Sequence, residues 1–152
     1  MKNPKQKSDF SLELTHTFTA PRERVFQAWT EPEQLMKWFP GPEMTHDGRF
    51  DVRPGGSYSM TVNCPDGPPS RIYGVFREVR FPEKLSYTWS FDPPRDTPVR
   101  DSLVTIEFRA RGQWTDIVLR HEALPSEAER KEHLEGWKVC ARSLEDYLSK
   151  KS

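Results

Sequence analysis

The C-terminal part of the chain has the pattern of one long amphipathic helix, and this helix most constrains the fold. Ser126 and Glu129 form a capping box, in which the serine hydroxyl accepts the backbone N–H of Glu129 at the helix start. About 23 residues follow, which makes a rod of roughly 35 Å. A stripe this long requires an extended apolar partner surface. Its apolar side chains recur every three or four residues along one face: Leu134, Trp137, Cys140, Ala141, Leu144, Tyr147 and Leu148.

The segments that precede this helix are predicted to form strands, and a sheet is the only partner surface available to it. Apolar and polar residues alternate in most of these segments, with the period of two that is typical of half-buried strands. Residues 71–81 are apolar on both faces, so their pattern does not identify the inner face. Strands joined in succession by turns favour antiparallel pairing. The predicted strands lie over residues 10–19, 44–53, 57–63, 71–81, 85–91, 104–108 and 115–121.

The order of these elements predicts the fold class. Two short helices are expected after the first strand, with Val25 and Leu35 on their apolar sides, and a turn is expected at residues 65–69. We therefore predict an α+β fold, in which a curved antiparallel sheet of about seven strands grips a long C-terminal helix (a helix-grip). A single domain is expected over residues 10–149, because 152 residues fit one core. Flexible tails are expected at 1–9 and 150–152.

Charge and composition exclude several classes of protein. Lys and Arg together number 23 and are balanced by 23 Asp and Glu, so no overall basic field is available to hold nucleic acid or an anionic membrane. No apolar run approaches the roughly 20 residues that a membrane helix needs. The two cysteines, Cys64 and Cys140, form no disulfide framework. We expect a cytoplasmic protein that is a monomer or a weak dimer and binds neither nucleic acid nor membrane.

Short motifs spread along about residues 11–148 carry a family resemblance. They are Ala20-Pro21, Val25-Phe26, Ala28-Trp29, Trp38, Gly41-Pro42, Asp51, Arg53, Gly55-Gly56, Gly74, Pro82-Glu83, Leu85, Thr88-Trp89, Glu107-Phe108, Gly112, Thr115, His121, Leu124, His133 and Gly136-Trp137. Together they resemble the helix-grip fold of START-like domains, and specifically the branch similar to the C-terminal domain of the activator of heat-shock protein 90 ATPase. The resemblance implies a cavity between sheet and helix, in which relatives hold apolar small molecules and some catalyse cyclisation or dehydration.

Large side chains that are expected to face the helix make up the candidate ligand site. Rings and thioethers with a few polar tips are the usual lining of a small-molecule pocket, although the same side chains also make a filled core. An empty space of roughly 300 Å³ or more would favour ligand binding, and a close-packed interior would favour a protein-interaction role. Gly136 has two readings, a close approach of helix to sheet or space for a ligand. The predicted pocket residues are Trp38, Phe50, Tyr58, Met60, Tyr73, Trp89, Phe108, His121, Trp137 and Cys140.

Three functions remain open from the sequence. The first is non-enzymatic binding of an apolar or aromatic small molecule, and the second is a protein module that interacts with a chaperone. The third is a cyclase- or hydrolase-like enzyme in which an inward-facing His121 acts on a bound ligand. The sequence contains no standard catalytic motif, so we predict no catalytic residue and regard an enzyme as the less favoured reading. His121 and His133 make a weak metal site, and no metal or cofactor is predicted.

Overall fold

The computed structural model describes residues 10–41, 44–64, 67–92 and 98–151. Strands and helices occupy most of these residues, and their order matches the predicted order. The elements are β1 (Phe10–Phe18), α1 (Arg22–Thr30), α2 (Pro32–Trp38), β2 (Thr45–Phe50), β3 (Ser57–Cys64), β4 (Gly67–Arg80), β5 (Lys84–Asp92), β6 (Val99–Arg111), β7 (Trp114–Leu124) and α3 (Glu127–Lys151).

All seven strands form one antiparallel sheet in the order β1-β7-β6-β5-β4-β3-β2. The sheet is curved, α3 is the long C-terminal helix, and the two short helices follow β1, so the predicted helix-grip fold is confirmed. β1 and β2 are the two edge strands. Every other strand pairs on both sides, which satisfies its backbone N–H and C=O groups.

Strand periodicity identified the buried face correctly where the alternation is clear. In β1, Leu12 and Phe18 are buried, whereas the residues between them on the other face are exposed. In β3, Tyr58, Met60 and Val62 are buried together, as their shared parity predicts. These side chains point towards the helices, so the inner face of the sheet is built mainly of rings and branched aliphatic groups.

β4 begins earlier than predicted and has an irregular register with β5. Residues 67–69 of the expected turn belong to β4, which begins at Gly67 and pairs there with Cys64. Residues 65 and 66 lie outside the described residues. Ser70, Ile72 and Phe76 are buried in β4, and the register with β5 shifts after Phe76. The outer face also carries apolar residues, such as the exposed Val75, so the sequence of this strand does not identify its inner face.

Gly74 sits where β4 approaches β5 most closely. A Cβ atom at this position would lie 2.1 Å from the carbonyl oxygen of Thr88, a distance that no side chain tolerates. The hydroxyl of Thr88 accepts the backbone N–H of Val75 at 2.8 Å, and its carbonyl oxygen accepts the Tyr58 hydroxyl at 2.6 Å. The glycine therefore lets the backbone of β4 pack onto a residue that also anchors Tyr58.

Helix α3 begins as the capping box predicts. The Ser126 hydroxyl accepts the backbone N–H of Glu129 at 3.1 Å, and the helix continues to Lys151, beyond the predicted domain end at 149. Residues 1–9 and 152, predicted as tails, lie outside the described residues. Gly136 is exposed, and a Cβ there would meet nothing within 4 Å. Neither a close helix–sheet approach nor space for a ligand accounts for this glycine.

The apolar stripe of α3 lies across the inner face of the sheet and also holds α2 in place. Trp137 lies with its ring centroid 5.2 Å from that of Trp89 in β5. Further along α3, the Ser143 hydroxyl donates to the carbonyl oxygen of Trp38 at the end of α2, at 2.6 Å. No helix in the described ranges combines the length and the apolar character that crossing a membrane requires.

Candidate functional site

Four rings meet beneath the first half of α3 and form what we call the histidine–tryptophan cluster: Trp89, His121, His133 and Trp137. The ring centroids of Trp89 and His121 are 5.4 Å apart, and those of His121 and His133 are 5.2 Å apart. β5 and β7 supply one member each, and α3 supplies the other two, one turn apart. The cluster therefore joins the helix to the centre of the sheet.

The hydrogen bonds of His121 assign its tautomer. Trp137 Nε1 is a donor only, and it donates to His121 Nδ1 at 3.0 Å. The ring hydrogen therefore sits on Nε2, which donates to the Ser102 hydroxyl at 2.8 Å. Ser102 in turn donates to the carbonyl oxygen of Trp89 at 2.7 Å. Every polar atom of this buried chain has a partner, and the imidazole is neutral.

His133 is the opposite tautomer, with its ring hydrogen on Nδ1 instead of Nε2. Trp89 Nε1 donates to His133 Nε2 at 3.3 Å, so the ring hydrogen lies on Nδ1. Nδ1 donates to the carbonyl oxygen of Glu129, one turn earlier in α3, at 2.9 Å. The buried carboxylate of Glu129 also approaches Nδ1, at 3.5 Å. Each histidine thus uses its one lone pair to accept an indole N–H.

Burial shifts the pKa values of His121 and Cys140 in directions that do not favour catalysis. Desolvation, together with the nearby His133, holds the pKa of His121 well below its ordinary value, so the ring stays neutral. His121 is fully buried, and its acceptor nitrogen is occupied by Trp137. Burial likewise raises the pKa of the Cys140 thiol, which makes it an inert core group. The geometry gives His121 no access to a bound ligand, so we do not propose catalysis by it.

The open space between sheet and helices lies beside this cluster, under α1 and α2. The volume of this cavity is only about 20 Å³, which is room for a single water molecule. This volume is far below the roughly 300 Å³ expected of an open ligand site. The interior is therefore close-packed. The cavity is lined by Trp29, Thr30, Leu35, Phe39, Phe50, Tyr58, Met60, Phe76, Leu85, Tyr87 and Trp89.

Phe50 and Tyr58 form the wall between this cavity and the outside. Both also line an open groove of about 680 Å³, which runs over the β3–β4–β5 part of the sheet. Their rings are parallel, with centroids 6.2 Å apart. Tyr58 is buried and hydrogen-bonded, whereas Phe50 is half-buried at the end of the edge strand β2. Phe50 is therefore the less restrained part of the wall.

The predicted pocket residues divide into three groups in the structure. Phe50, Tyr58, Met60 and Trp89 line the cavity. Tyr73 is a correction: it pairs with the outward-facing Ser59, lies in the outer groove and carries the Arg71 guanidinium 5.1 Å above its ring. The remaining five are packed in the core without reaching the cavity: Trp38, Phe108, His121, Trp137 and Cys140. Ligand binding by any of them stays a prediction.

A family profile matches residues 19–149, which is most of the chain. The family is described as Activator of Hsp90 ATPase homolog 1-like protein. The chain belongs to this family. No curated protein matches the sequence significantly.

Solved structures share this family's helix-grip fold with the chain. A protein from Rhizobium leguminosarum is 26% identical, with a TM-score of 0.80 over 92% of this chain and 94% of that chain. A protein from Nitrosomonas europaea is 28% identical, with a TM-score of 0.74 over 95% and 97% of the two chains. A third, from Silicibacter pomeroyi, is 23% identical, with a TM-score of 0.78 over 93% and 99%. These similarities establish the fold and name no ligand.

Several residues that line the cavity of this family member were not predicted. Tyr87 and Leu85 share the parity of Trp89 in β5, and that signal could have identified them. Trp29 belongs to the recognised Ala28-Trp29 motif, but no periodicity in a short helix shows which cavity its ring borders. Phe76 lies just before the register shift of β4, where the parity signal is lost.

A metal centre finds no support in the described ranges of the chain. No group of three or more His, Cys, Asp and Glu side chains within them could hold an ion. The two neighbouring histidines of the cluster direct their lone pairs to indole N–H groups rather than to a shared point. A metal would have to displace both tryptophans, which are buried on every side.

Proposed function

We propose that this domain binds a small apolar or aromatic molecule in the cavity under α1 and α2. The observation that carries the proposal is the lining of that cavity: rings, aliphatic side chains and a thioether, with no charged side chain among them. A concave apolar lining with a few polar tips is typical of small-molecule sites. Membership in this family, whose fold often serves ligand binding, supports the same function.

Entry of a ligand requires more space than the cavity now has, and Phe50 is the side chain that can provide it. Its ring is half-buried and lies on an edge strand, and it separates the cavity from the outer groove. Swinging this ring outward would join the two spaces. The other lining rings are buried, and each packs against several neighbouring rings, so moving them would disturb the core.

Replacing Phe50 with alanine tests this function directly. The variant Phe50→Ala is expected to bind isopropylbenzene about fivefold more tightly than the unaltered chain, because no half-buried ring has to be displaced. Two-dimensional NMR titration measures the dissociation constant and shows which residues respond. Shifts are expected at the Trp89 and Tyr87 signals, which lie on the inner wall of the cavity.

The matched control is Phe10→Ala. Phe10 is also half-buried and lies on the opposite edge strand, β1, away from the cavity. This control should leave the dissociation constant unchanged. Shifts confined to surface loops in both the unaltered chain and Phe50→Ala, with none at Trp89 or Tyr87, would overturn the proposal.

We propose chaperone interaction as a second candidate function, which the close-packed interior favours. Trp114 is 50% exposed at the start of β7, directly after the β6–β7 turn, and Phe81 is 55% exposed in the turn between β4 and β5. Both turns lie at the same end of the antiparallel sheet. Exposed aromatic side chains are the residue types that most often anchor protein interfaces. The family description supports heat-shock protein 90 as the partner.

The chaperone candidate is tested by its effect on ATP hydrolysis. The purified chain is expected to stimulate the ATPase of heat-shock protein 90, and Trp114→Ser should raise the concentration needed for half-stimulation about tenfold. Val139→Ser is the matched control, because Val139 is similarly exposed (46%) but lies on α3. An unstimulated ATPase at a large molar excess of the chain would exclude this function.

A further inference from the structure

The lack of charged side chains in the cavity lining is the first restriction on the ligand. The only ionisable side chains that line the cavity are two tyrosines, and burial raises the pKa of both phenols further above neutrality, so the lining carries no charge. An ion moved into this lining would lose its hydration without gaining a counter-charge, which is strongly unfavourable. A ligand of this cavity is therefore neutral.

The donors around the cavity restrict the ligand further, because most of them are already used inside the protein. The Thr30 hydroxyl donates to the carbonyl oxygen of Phe26 at 2.9 Å. The Tyr58 hydroxyl donates to the carbonyl oxygen of Thr88 at 2.6 Å, and Trp89 Nε1 donates to His133 at 3.3 Å. None of these hydrogens is free to bind a ligand without breaking a buried hydrogen bond.

Tyr87 is the exception. Its hydroxyl oxygen accepts the indole N–H of Trp29 at 3.4 Å, and since indole nitrogen is only a donor, this bond leaves the phenolic hydrogen of Tyr87 unused. Among the described residues, the bond from Trp29 is the one hydrogen bond that the Tyr87 hydroxyl makes. Tyr87 is buried and lines the cavity, so the hydrogen is enclosed with it.

We infer that the cavity selects a neutral apolar molecule that carries one hydrogen-bond acceptor, such as a ketone, ester or ether oxygen, which the Tyr87 hydroxyl holds. The inference rests on the proposed ligand-binding function and adds the chemical class of the ligand. Trp29 supports the role by donating to the same oxygen, because a hydroxyl that accepts one bond becomes a stronger donor of its own hydrogen. Tyr87 is thus a residue that determines specificity.

A pair of probes with matched shape tests this inference. Acetophenone and isopropylbenzene have the same connectivity of non-hydrogen atoms. They differ in that the carbonyl oxygen of acetophenone takes the place of one methyl group of isopropylbenzene. In Tyr87→Phe, the dissociation constant of acetophenone is expected to rise about fivefold, the usual worth of one net hydrogen bond. The dissociation constant of isopropylbenzene should stay within about twofold.

The matched control is Tyr58→Phe, which removes the other phenolic hydroxyl of the cavity. Because that hydroxyl donates to Thr88, its loss should affect the two probes equally. A second readout is the carbonyl carbon signal of ¹³C-labelled acetophenone, expected to move downfield on binding to the unaltered chain but less so with Tyr87→Phe. This signal reports the hydrogen bond itself rather than stability.

The outcomes separate this inference from the function on which it rests. If both probes bind in the cavity and Tyr87→Phe weakens them equally, the acceptor specificity is wrong while ligand binding stands. If neither probe binds to the unaltered chain or to Phe50→Ala, the ligand-binding function fails, and the acceptor specificity falls with it.

Discussion

Trp137→Ala will lower the free energy of unfolding by about 3–5 kcal/mol, the usual cost of deleting a large buried ring. Trp137 is only 3% exposed and lies at the centre of the ring contacts beneath α3. Its indole N–H is also the donor to His121, so the truncation leaves a buried acceptor without its partner. Urea unfolding at neutral pH, followed by circular dichroism, measures the change.

Trp114→Ala provides the control for this result. The substitution is chemically identical, but Trp114 is 50% exposed at the start of β7, and surface changes usually stay within about 0.5 kcal/mol. If the free energies of unfolding lost by Trp137→Ala and Trp114→Ala differ by less than about 1 kcal/mol, the apolar face of α3 does not pack against the sheet.

Acidification below the ordinary pKa of histidine, about 6.5, is expected to destabilise the fold through His121, by at most about 1.4 kcal/mol per pH unit. The pKa of His121 is lowered in the folded state by burial and by the neighbouring His133, while in the unfolded chain it returns to its ordinary value. The unfolded state therefore takes up the proton first, so falling pH favours unfolding. At pH values well above about 6.5 the ring is neutral in both states, so this contribution to the pH dependence vanishes.

Other titrating groups can be separated from this effect. The Asp116 and Glu127 carboxyls have pKa values lowered by their hydrogen bonds, to Thr17 and Arg111 in the first case and to Arg130 in the second. Their contribution is lost only at more acidic pH, below their ordinary values near 4.

The variant His121→Asn isolates the contribution of His121. The asparagine carbonyl oxygen can still accept the Trp137 N–H, but the side chain no longer titrates. Urea unfolding at pH 7, 6 and 5 should show a weaker loss of stability with falling pH than in the unaltered chain, and the difference in slope should approach about 1.4 kcal/mol per pH unit at the acidic end. NMR titration of the folded protein should place the pKa of His121 below its ordinary value. Equal slopes for both proteins would contradict the neutral, buried His121.

The inner face of the sheet could be predicted where apolar and polar residues strictly alternate. β3 and β5 satisfy this condition, so Tyr58, Met60 and Trp89 were placed correctly on the inner face. Tyr73 could not be placed, because β4 carries apolar residues on both faces. A stripe of rings also cannot distinguish a wall of a cavity from a filled core, since both bury the same surface.

His121 shows the same limit for chemistry. Its parity in β7 predicted an inward-facing imidazole, and it is indeed fully buried. Whether such a ring can act on a ligand depends on what occupies its lone pair. That partner, Trp137, comes from an element 16 residues away that folds back over the sheet. No local pattern reports this contact.

The sequence alone determined the elements, the inner faces of the regular strands and the helix that closes them, because hydrophobic periodicity records which side of each element avoids water. Only the tertiary structure decided how much space remains between them and which donors stay unused within it. Those properties depend on how side chains from α1, α2, β5 and α3 meet. Contacts between distant segments leave no periodic signal along the chain.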